Sequence, residues 1–432
     1  MIASLSGIRG TLNEDLTLAD FARYAGNFGG GYGDSEVLLA RDTRSTGPAI
    51  RKAVAGALAA RGCRVLDLGV VSTPALFRES RKRRLPAVMV SASHNEPQFN
   101  GLKFIVGGSG IGQEKFESVI GQAGAPWGRA PGSVRSLPRS SYVGDLVDRF
   151  GTGSLEGATV ALDLGGGAAV AHAVELFRRL GCRVLSINDS PGVFNRRVDP
   201  MADDLSLLCR LVKERGCDIG LGFDCDGDRL AVVDNTGRKR TGDFMLTLAL
   251  SALVGESKER KVAVSVDTTQ AVDDVVVRAG GEVFRSKVGE ANVVGLMART
   301  GSRFGGEGSS GGLIDGGFNY CRDSLLAALV IMRVIRGKGT KAYSSVPEYH
   351  QERIALEIPK ARAQKAIAKL ANQSGEHDLT DGVKVFVSKR SWVLVRRSGT
   401  EDRVRVSAEA ETAEGAAKIA KSFASKLREL SR

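Results

Sequence analysis

The chain has 432 residues, of which 42% are hydrophobic and 25% charged, with a formal net charge of +12. That length exceeds one ordinary core, so three or four domains are expected, in a composition ordinary for a soluble globular protein. The positive balance suits nucleic acid or anionic small molecules, but the one dense basic cluster, residues 78–84, holds no aromatic residue, and aromatics are only 6% of the chain. A stacking platform for single strands is thereby disfavoured, and anionic small molecules are the expected partners. Six cysteines without a C-x-x-C pair and four scattered histidines argue against a disulfide framework or a zinc site. Residues 1–7 lack the apolar core of a signal peptide, and the most apolar run, 325–332, stops at Arg333. A cytoplasmic protein without a membrane partner is expected.

In chain order, Ser6-Gly7-Ile8-Arg9-Gly10 sets glycines on both sides of one arginine, which predicts a tight loop that presents it. Residues 37–40 read as a strand ending in Arg41-Asp42-Thr43-Arg44. A helix follows, with Ile50, Val54, Ala57 and Leu58 at helical spacing, then Gly62 and a strand at 63–68. Residues 87–90 read as a buried strand, and 91–104 (SASHNEPQFNGLKF) as a loop crowded with hydroxyls, a histidine, amides and a lysine. Residues 129–141, rich in Arg, Pro and Ser, read as a linker.

The strand–helix–Gly–strand pattern returns. It runs over 158–185, where Gly181-Cys182-Arg183-Val184-Leu185 echoes Gly62-Cys63-Arg64-Val65-Leu66, and more weakly over 262–284. Repeats of domain size imply three similar α/β domains with mixed or mostly parallel sheets. The last stretch reads differently, as strands at 382–387, 392–396 and 403–408 followed by a long amphipathic helix, an α+β domain. The expected domains are 1–145, 146–245, 246–345 and 346–432, arranged around a central cleft.

Three further stretches carry chemistry. Strand 219–223 runs into Asp224-Cys225-Asp226-Gly227-Asp228-Arg229, and three carboxylates at alternate positions of an extended loop can face one point. Oxygen-only ligation suits a hard divalent cation, Mg²⁺ above all. An EF-hand does not fit, because glycine stands at the fourth loop position, Arg229 at the sixth and Asn235 at the twelfth. Phe304-Gly305-Gly306-Glu307-Gly308-Ser309-Ser310-Gly311-Gly312 places a carboxylate and two hydroxyls among glycines, suited to a polyhydroxylated ligand. Arg396-Arg397-Ser398-Gly399-Thr400-Glu401 combines guanidinium, hydroxyls and free N–H groups as an anion nest.

Together these four stretches resemble the α-D-phosphohexomutase superfamily, whose members shift phosphate between the 1- and 6-positions of hexoses. The resemblance runs from Ser6 to Ala410. It implies that Ser93 is the phosphorylated serine and that Asp224, Asp226 and Asp228 hold one Mg²⁺, with a serine-phosphate oxygen completing the shell. It further implies that Arg229 lies near the phosphoserine, that Glu307 and Ser309 belong to the sugar loop, and that Arg396, Ser398, Gly399 and Thr400 hold the non-transferring phosphate. Arg9, His94 and Lys103 would surround the reacting oxygen. The implied cycle runs through a hexose 1,6-bisphosphate, in a monomer or homodimer. Departures are the missing Phe-Gly-Thr before Ser6, Arg397 and Asp402 in place of prolines, and a sugar loop without the histidine of many bacterial members and with one residue more than archaeal-type loops. The sugar loop and Lys287-Val288-Gly289-Glu290 look most like the branch of phosphoglucosamine and phosphomannose mutases. Glucosamine phosphate is the expected substrate, with mannose or glucose phosphate as the alternative, and a metal-dependent sugar phosphatase or a non-catalytic sugar-phosphate binder as readings from other classes.

Overall fold

The computed structural model describes residues 1–121, 131–137, 140–397 and 403–431. Four sheets form among them, and three share one plan. In the first, Glu36–Arg41 lies between the parallel strands Arg64–Val70 and Ala87–Val90, and Phe99–Val106 adds antiparallel to Ala87–Val90. In the second, Thr159–Asp163 lies between Arg183–Ile187 and Ile219–Phe223, with Leu230–Asp234 antiparallel to Ile219–Phe223. In the third, Lys261–Ser265 lies between Glu282–Ser286 and Phe304–Glu307, with Gly312–Asp315 antiparallel to Phe304–Glu307. The central strands are apolar runs buried on both faces, as parallel strands covered by helices must be.

Three expectations need correction in the first sheet. Arg9 is not on a loop but within the strand Gly7–Thr11, which pairs with Ile2–Ser4 and with Phe99–Val106, Arg9 opposite Gly101. Pairing on both sides overrides the local glycine signal, while Ile8 is fully buried beneath. Residues 99–104 are likewise a strand, so Lys103 sits on a rigid element opposite Met89 rather than at a loop's end. Of the expected linker, Val134–Ser136 joins the sheet edge parallel to Arg64–Val70, whereas 129–130 and 138–139 lie outside the described residues.

The apolar run at 325–332 belongs to the helix Ser324–Lys338, whose residues 324–332 are all buried. It packs on the helix Gly242–Glu256 and on strands of both the second and third sheets, which explains why it is apolar all round. Among the described residues no helix is long and apolar enough to cross a membrane.

The fourth sheet is antiparallel throughout, in the order His350–Glu357, Arg403–Ala410, Ser391–Arg397, Val383–Ser388, His377–Asp378. The helices Lys360–Asn372 and Ala413–Leu430 close its core. Trp392, fully buried, packs with Leu394 against Val266 of the third unit. Lys384 Nζ lies 4.1 Å from the centroid of a Trp392 ring and donates to the Val266 carbonyl at 2.8 Å. Glu409, also fully buried, accepts from Trp392 Nε1 and Gln270 N–H at 2.9 Å each, and from Gln351 Nε2 at 3.0 Å. Gln351 Nε2 also donates to the Asp267 carbonyl at 3.3 Å, so Glu409→Ala strands the Trp392 and Gln270 donors, each costing about 1–3 kcal/mol when buried and unpaired, and unfolding free energy is expected to fall by about 2–6 kcal/mol. A urea melt followed by tryptophan fluorescence checks this, and an unchanged midpoint would show that the junction does not rest on Glu409.

Candidate functional site

In each α/β unit the chain breaks out of the sheet between its third parallel strand and the antiparallel strand that follows. Those three breaks are the serine loop after Ala87–Val90, the aspartate loop after Ile219–Phe223 and the glycine-rich loop after Phe304–Glu307. Loops at the carboxyl ends of parallel strands are where α/β folds collect ligands.

Ser93 is fully buried at φ +54°, a left-handed conformation that is costly for a residue with a Cβ. Its N–H donates to Ser91 Oγ at 2.9 Å, and its Oγ lies 3.5 Å from Asp224 Oδ2. The loop is held by Arg44, a residue with no role in the sequence reading. All five guanidinium N–H groups are used: Nε on Asp42 Oδ2 at 3.0 Å, Nη1 on the carbonyls of Glu96 and Phe99, and Nη2 on those of Ser93 and Asn95. Arg44 and Asp42 are both fully buried, and the signal available for them was the charged run closing a buried strand.

Asp224, Asp226 and Asp228 are fully buried, and one oxygen from each falls within 4.8 Å of the others. Asp224 Oδ1 accepts the N–H groups of Asp228 and Arg229 at 3.0 and 3.2 Å. Lys103 Nζ reaches Asp226 Oδ2 at 2.6 Å and Asp228 Oδ2 at 3.3 Å, while Thr73 Oγ1 donates to Asp226 Oδ2. Arg322, from the turn before helix Ser324–Lys338, reaches Asp228 Oδ2 at 2.9 Å. Burial, then repulsion from Asp228 and Asp226, raises the Asp224 carboxyl well above its ordinary range. Burial works the same way on Asp228, but Arg322 and Lys103 outweigh it and hold that carboxyl low. Asp226 Oδ1 and Asp228 Oδ1 are buried without any hydrogen-bond partner. Orphaned anionic oxygens in an all-carboxylate cluster fit a hard divalent cation.

Around this cluster, Arg9 Nη1 donates to Asn95 Oδ1 at 3.1 Å. His94 Nε2 lies 3.3 Å from Arg229 Nη2, and its Nδ1 is buried without a partner. Burial, with Arg229 and Arg9 nearby, pushes the His94 imidazole far below its ordinary value. Arg229 Nη1 pairs with Asp199 Oδ2 at 2.9 Å. Glu307 is nearly buried, and both its oxygens are engaged, Oε1 by the Gly289 N–H at 2.6 Å and Oε2 by Arg322 Nη1 at 3.2 Å. The half-buried Ser309 and Gly308 line a cavity of about 430 Å³ with Asp243, Arg353 and Glu409. Lys103 lines another of about 650 Å³ with Ser6, Lys287, Glu290 and Thr380. A cavity of about 850 Å³ shares Thr241 and Asp243 with the first but contains no serine- or aspartate-loop group. Its Arg240 and Lys239 are already paired, with Asp234 and with the carbonyls of Met201 and Asp203. Arg396 Nη1 stands 3.7 Å from Asp381 Oδ2, which also accepts the Val288 N–H at 3.1 Å. Ser398, Gly399 and Thr400 lie outside the described residues.

Three tandem α/β units of one plan, with a serine, an acidic cluster and a glycine-rich turn converging from their equivalent loops, define a class of multidomain enzyme. Sequence profiles of phosphoglucomutase/phosphomannomutase match in four consecutive pieces: alpha/beta/alpha domain I at residues 2–124, domain II at 140–237, domain III at 241–352, and the C-terminal domain at 353–426. The chain belongs to the phosphoglucomutase/phosphomannomutase family of the α-D-phosphohexomutase superfamily, and is a phosphosugar mutase, an isomerase. It is 33% identical over 438 residues to the "probable phosphoglucosamine mutase" of Methanopyrus kandleri, covering 97% of this chain and 96% of that one. Its fold matches the phosphoglucomutase/phosphomannomutase family protein of Burkholderia thailandensis with a TM-score of 0.88 at 24% identity, over 99% and 98% of the two chains. It also matches Aspergillus fumigatus N-acetylphosphoglucosamine mutase, solved with GlcNAc-6P and magnesium, with a TM-score of 0.57 at 16% identity, over 91% and 82%.

Two outcomes test this arrangement. Arg44→Met leaves Asp42 as an unpaired buried charge, so stability is expected to fall by about 3–5 kcal/mol, read by urea unfolding. Asp243 accepts from the Thr269 N–H at 2.9 Å, on the helix that packs the turn Gly308–Ser310. Burial pushes its carboxyl up to about 7, against Arg353 and the Thr269 N–H, with Glu409 and Asp267 adding repulsion. The folded chain therefore binds more protons than the unfolded one between the ordinary carboxylate value and about 7, and stability from this group is lost as pH rises through that window. Asp243→Asn is expected to gain stability over the parent at pH 8 relative to pH 5, measured as Tm at both values.

Proposed function

We propose that the protein interconverts glucosamine 6-phosphate and glucosamine 1-phosphate, with Ser93 as the phosphoryl carrier. The observation that carries this reading is the placement of Ser93 Oγ 3.5 Å from Asp224 Oδ2, beside a carboxylate cluster with two orphaned oxygens. The choice of sugar rests on the relatives named for phosphoglucosamine.

The working state is the Ser93 phosphoester. The C1 hydroxyl oxygen of glucosamine 6-phosphate attacks that phosphorus, the Ser93 Oγ–P bond breaks, and glucosamine 1,6-bisphosphate forms. The C1 hydroxyl proton, released among Lys103, His94 and Arg9 as the new O–P bond forms, ends on the departing Ser93 Oγ, and in the return transfer the Ser93 proton ends on the C6 oxygen. The bisphosphate then turns over, Ser93 Oγ takes back the phosphoryl group from the C6 oxygen, and glucosamine 1-phosphate departs. One Mg²⁺, held by Asp224, Asp226, Asp228 and a phosphoserine oxygen, would neutralise charge developing on the phosphoryl oxygens. Arg44 fixes the Ser93 loop so that little reorganisation is needed at transfer. Glu307 and Ser309 read sugar hydroxyls, Arg229 lies by the phosphoserine, and Arg396 with Ser398, Gly399 and Thr400 holds the phosphate that stays put. Holding that second phosphate away from Ser93 lets one site accept the bisphosphate in both orientations.

Ser93→Ala is expected to lose nearly all Mg²⁺-dependent conversion in a coupled assay run in parallel on glucosamine, mannose and glucose phosphates. Intact mass after incubation with a hexose 1,6-bisphosphate should show one added phosphoryl group on the parent and none on the variant. Wild-type turnover by Ser93→Ala removes Ser93 from the mechanism; faster turnover of mannose or glucose phosphate changes the substrate.

A further inference from the structure

Arg322 stands where the second and third units meet, and its side chain serves both. Nη2 holds Asp228 Oδ2 at 2.9 Å, and Nη1 holds Glu307 Oε2 at 3.2 Å and Ser310 Oγ at 3.1 Å. Its own N–H donates to Glu290 Oε2 at 2.8 Å. Only 7% of the residue is exposed, so these contacts are little screened by water. The backbone around it is fixed: the next residue, Asp323, donates its N–H to the Leu313 carbonyl at 2.9 Å and caps helix Ser324–Lys338. Space for the side chain is cleared by Gly312, where a Cβ would fall 2.1 Å from Arg322 Cδ. The glycine that ends the sugar loop is thus the surface on which this arginine lies.

One guanidinium therefore serves three carboxylates: Nε stands 3.2 Å from Glu290 Oε2, and the terminal nitrogens serve Asp228 and Glu307, which have different duties. On Asp228 its positive charge occupies an oxygen of the cluster that suits a divalent cation, and repels any cation that arrives there. On Glu307 and Ser310 it fixes the sugar loop by two hydrogen bonds from Nη1, while Nη2 holds Asp228, so the planar guanidinium spans the two loops. We propose that Arg322 is a positioning residue that ties the cation cluster to the sugar loop, weakening cation binding while strengthening sugar-phosphate binding. The sugar half of this statement rests on the phosphohexomutase reading; the cation half stands without it. The opposite signs distinguish it from a scaffold role, whose loss would weaken both.

The test uses the full-length protein and its Arg322→Gln and Arg322→Lys variants. Mn²⁺ affinity is measured by calorimetry without substrate, and kcat and KM for glucosamine 6-phosphate at saturating Mg²⁺. Arg322→Gln is expected to bind Mn²⁺ about tenfold more tightly and to show a KM about tenfold higher, within the usual range of coupling between sites. Arg322→Lys keeps the charge but has one nitrogen where Nη1 and Nη2 served the two loops, so Mn²⁺ affinity should stay at the parent value while KM still rises. If the glutamine variant does not fold, the lysine variant decides, because a parental KM there overturns the proposal. Mn²⁺ affinity in Arg322→Gln that is unchanged or weaker also overturns it. A parent that turns over no hexose phosphate defeats the functional reading instead, and leaves the Mn²⁺ comparison to judge the cation half.

Discussion

Three carboxylates buried side by side repel one another, and the structure is organised around that repulsion. No water-exposed edge relieves it, since Asp224, Asp226 and Asp228 are all fully buried. The charge is balanced by Lys103 from the first unit and Arg322 from the third, and the hydroxyl of Thr73 donates a hydrogen bond to Asp226. Such an arrangement is stable only while every partner is present, because a buried charge left alone costs several kcal/mol. The packing of the three units on one another and the assembly of the site are therefore one physical problem. The large core that runs from Leu38 through Leu221 to Leu329 is its apolar counterpart.

Much of this could be read from the sequence because it is local. Residues 87–90, 219–223 and 262–266 are apolar runs bounded by polar loops, and each lies on a central strand within a residue of its expected place. The alternation of carboxylates at 224, 226 and 228 brings them to one point, as extended backbone does. What could not be read is reach. Arg44 grips carbonyls some fifty residues away, and Arg322 spans to Asp228 across 94 residues. Neither contact leaves a period or a spacing. Arg9 and residues 99–104 were misread for a related reason: glycines and polar residues look like loop until a partner strand supplies the hydrogen bonds.

Glu307 shows a subtler difference. Its setting among glycines suggests an open carboxylate, yet both oxygens are already used within the protein. A ligand at this loop meets a carboxylate whose orientation is set in advance by Gly289 and Arg322, so little ordering cost is left for binding. The fourth unit is held by other means. Trp392, Lys384 and Glu409 join it to Val266 and Gln270 by burial and hydrogen bonds, away from the carboxylate cluster.

The order in which the partners of the cluster occur along the chain has a consequence for synthesis. Domains fold as units, N-terminal first, while the chain emerges from the ribosome. Lys103 is made before Asp226 and Asp228, and Arg322 roughly a hundred residues after them. The aspartates thus meet a positive charge already in place to receive them, with the lysine preceding Arg322 during translation. A chain arrested between the second and third units would hold Asp228 with Lys103 and the neighbouring Arg229, so the arrival of Arg322 marks the completion of the three-unit cluster, before the fourth unit is made.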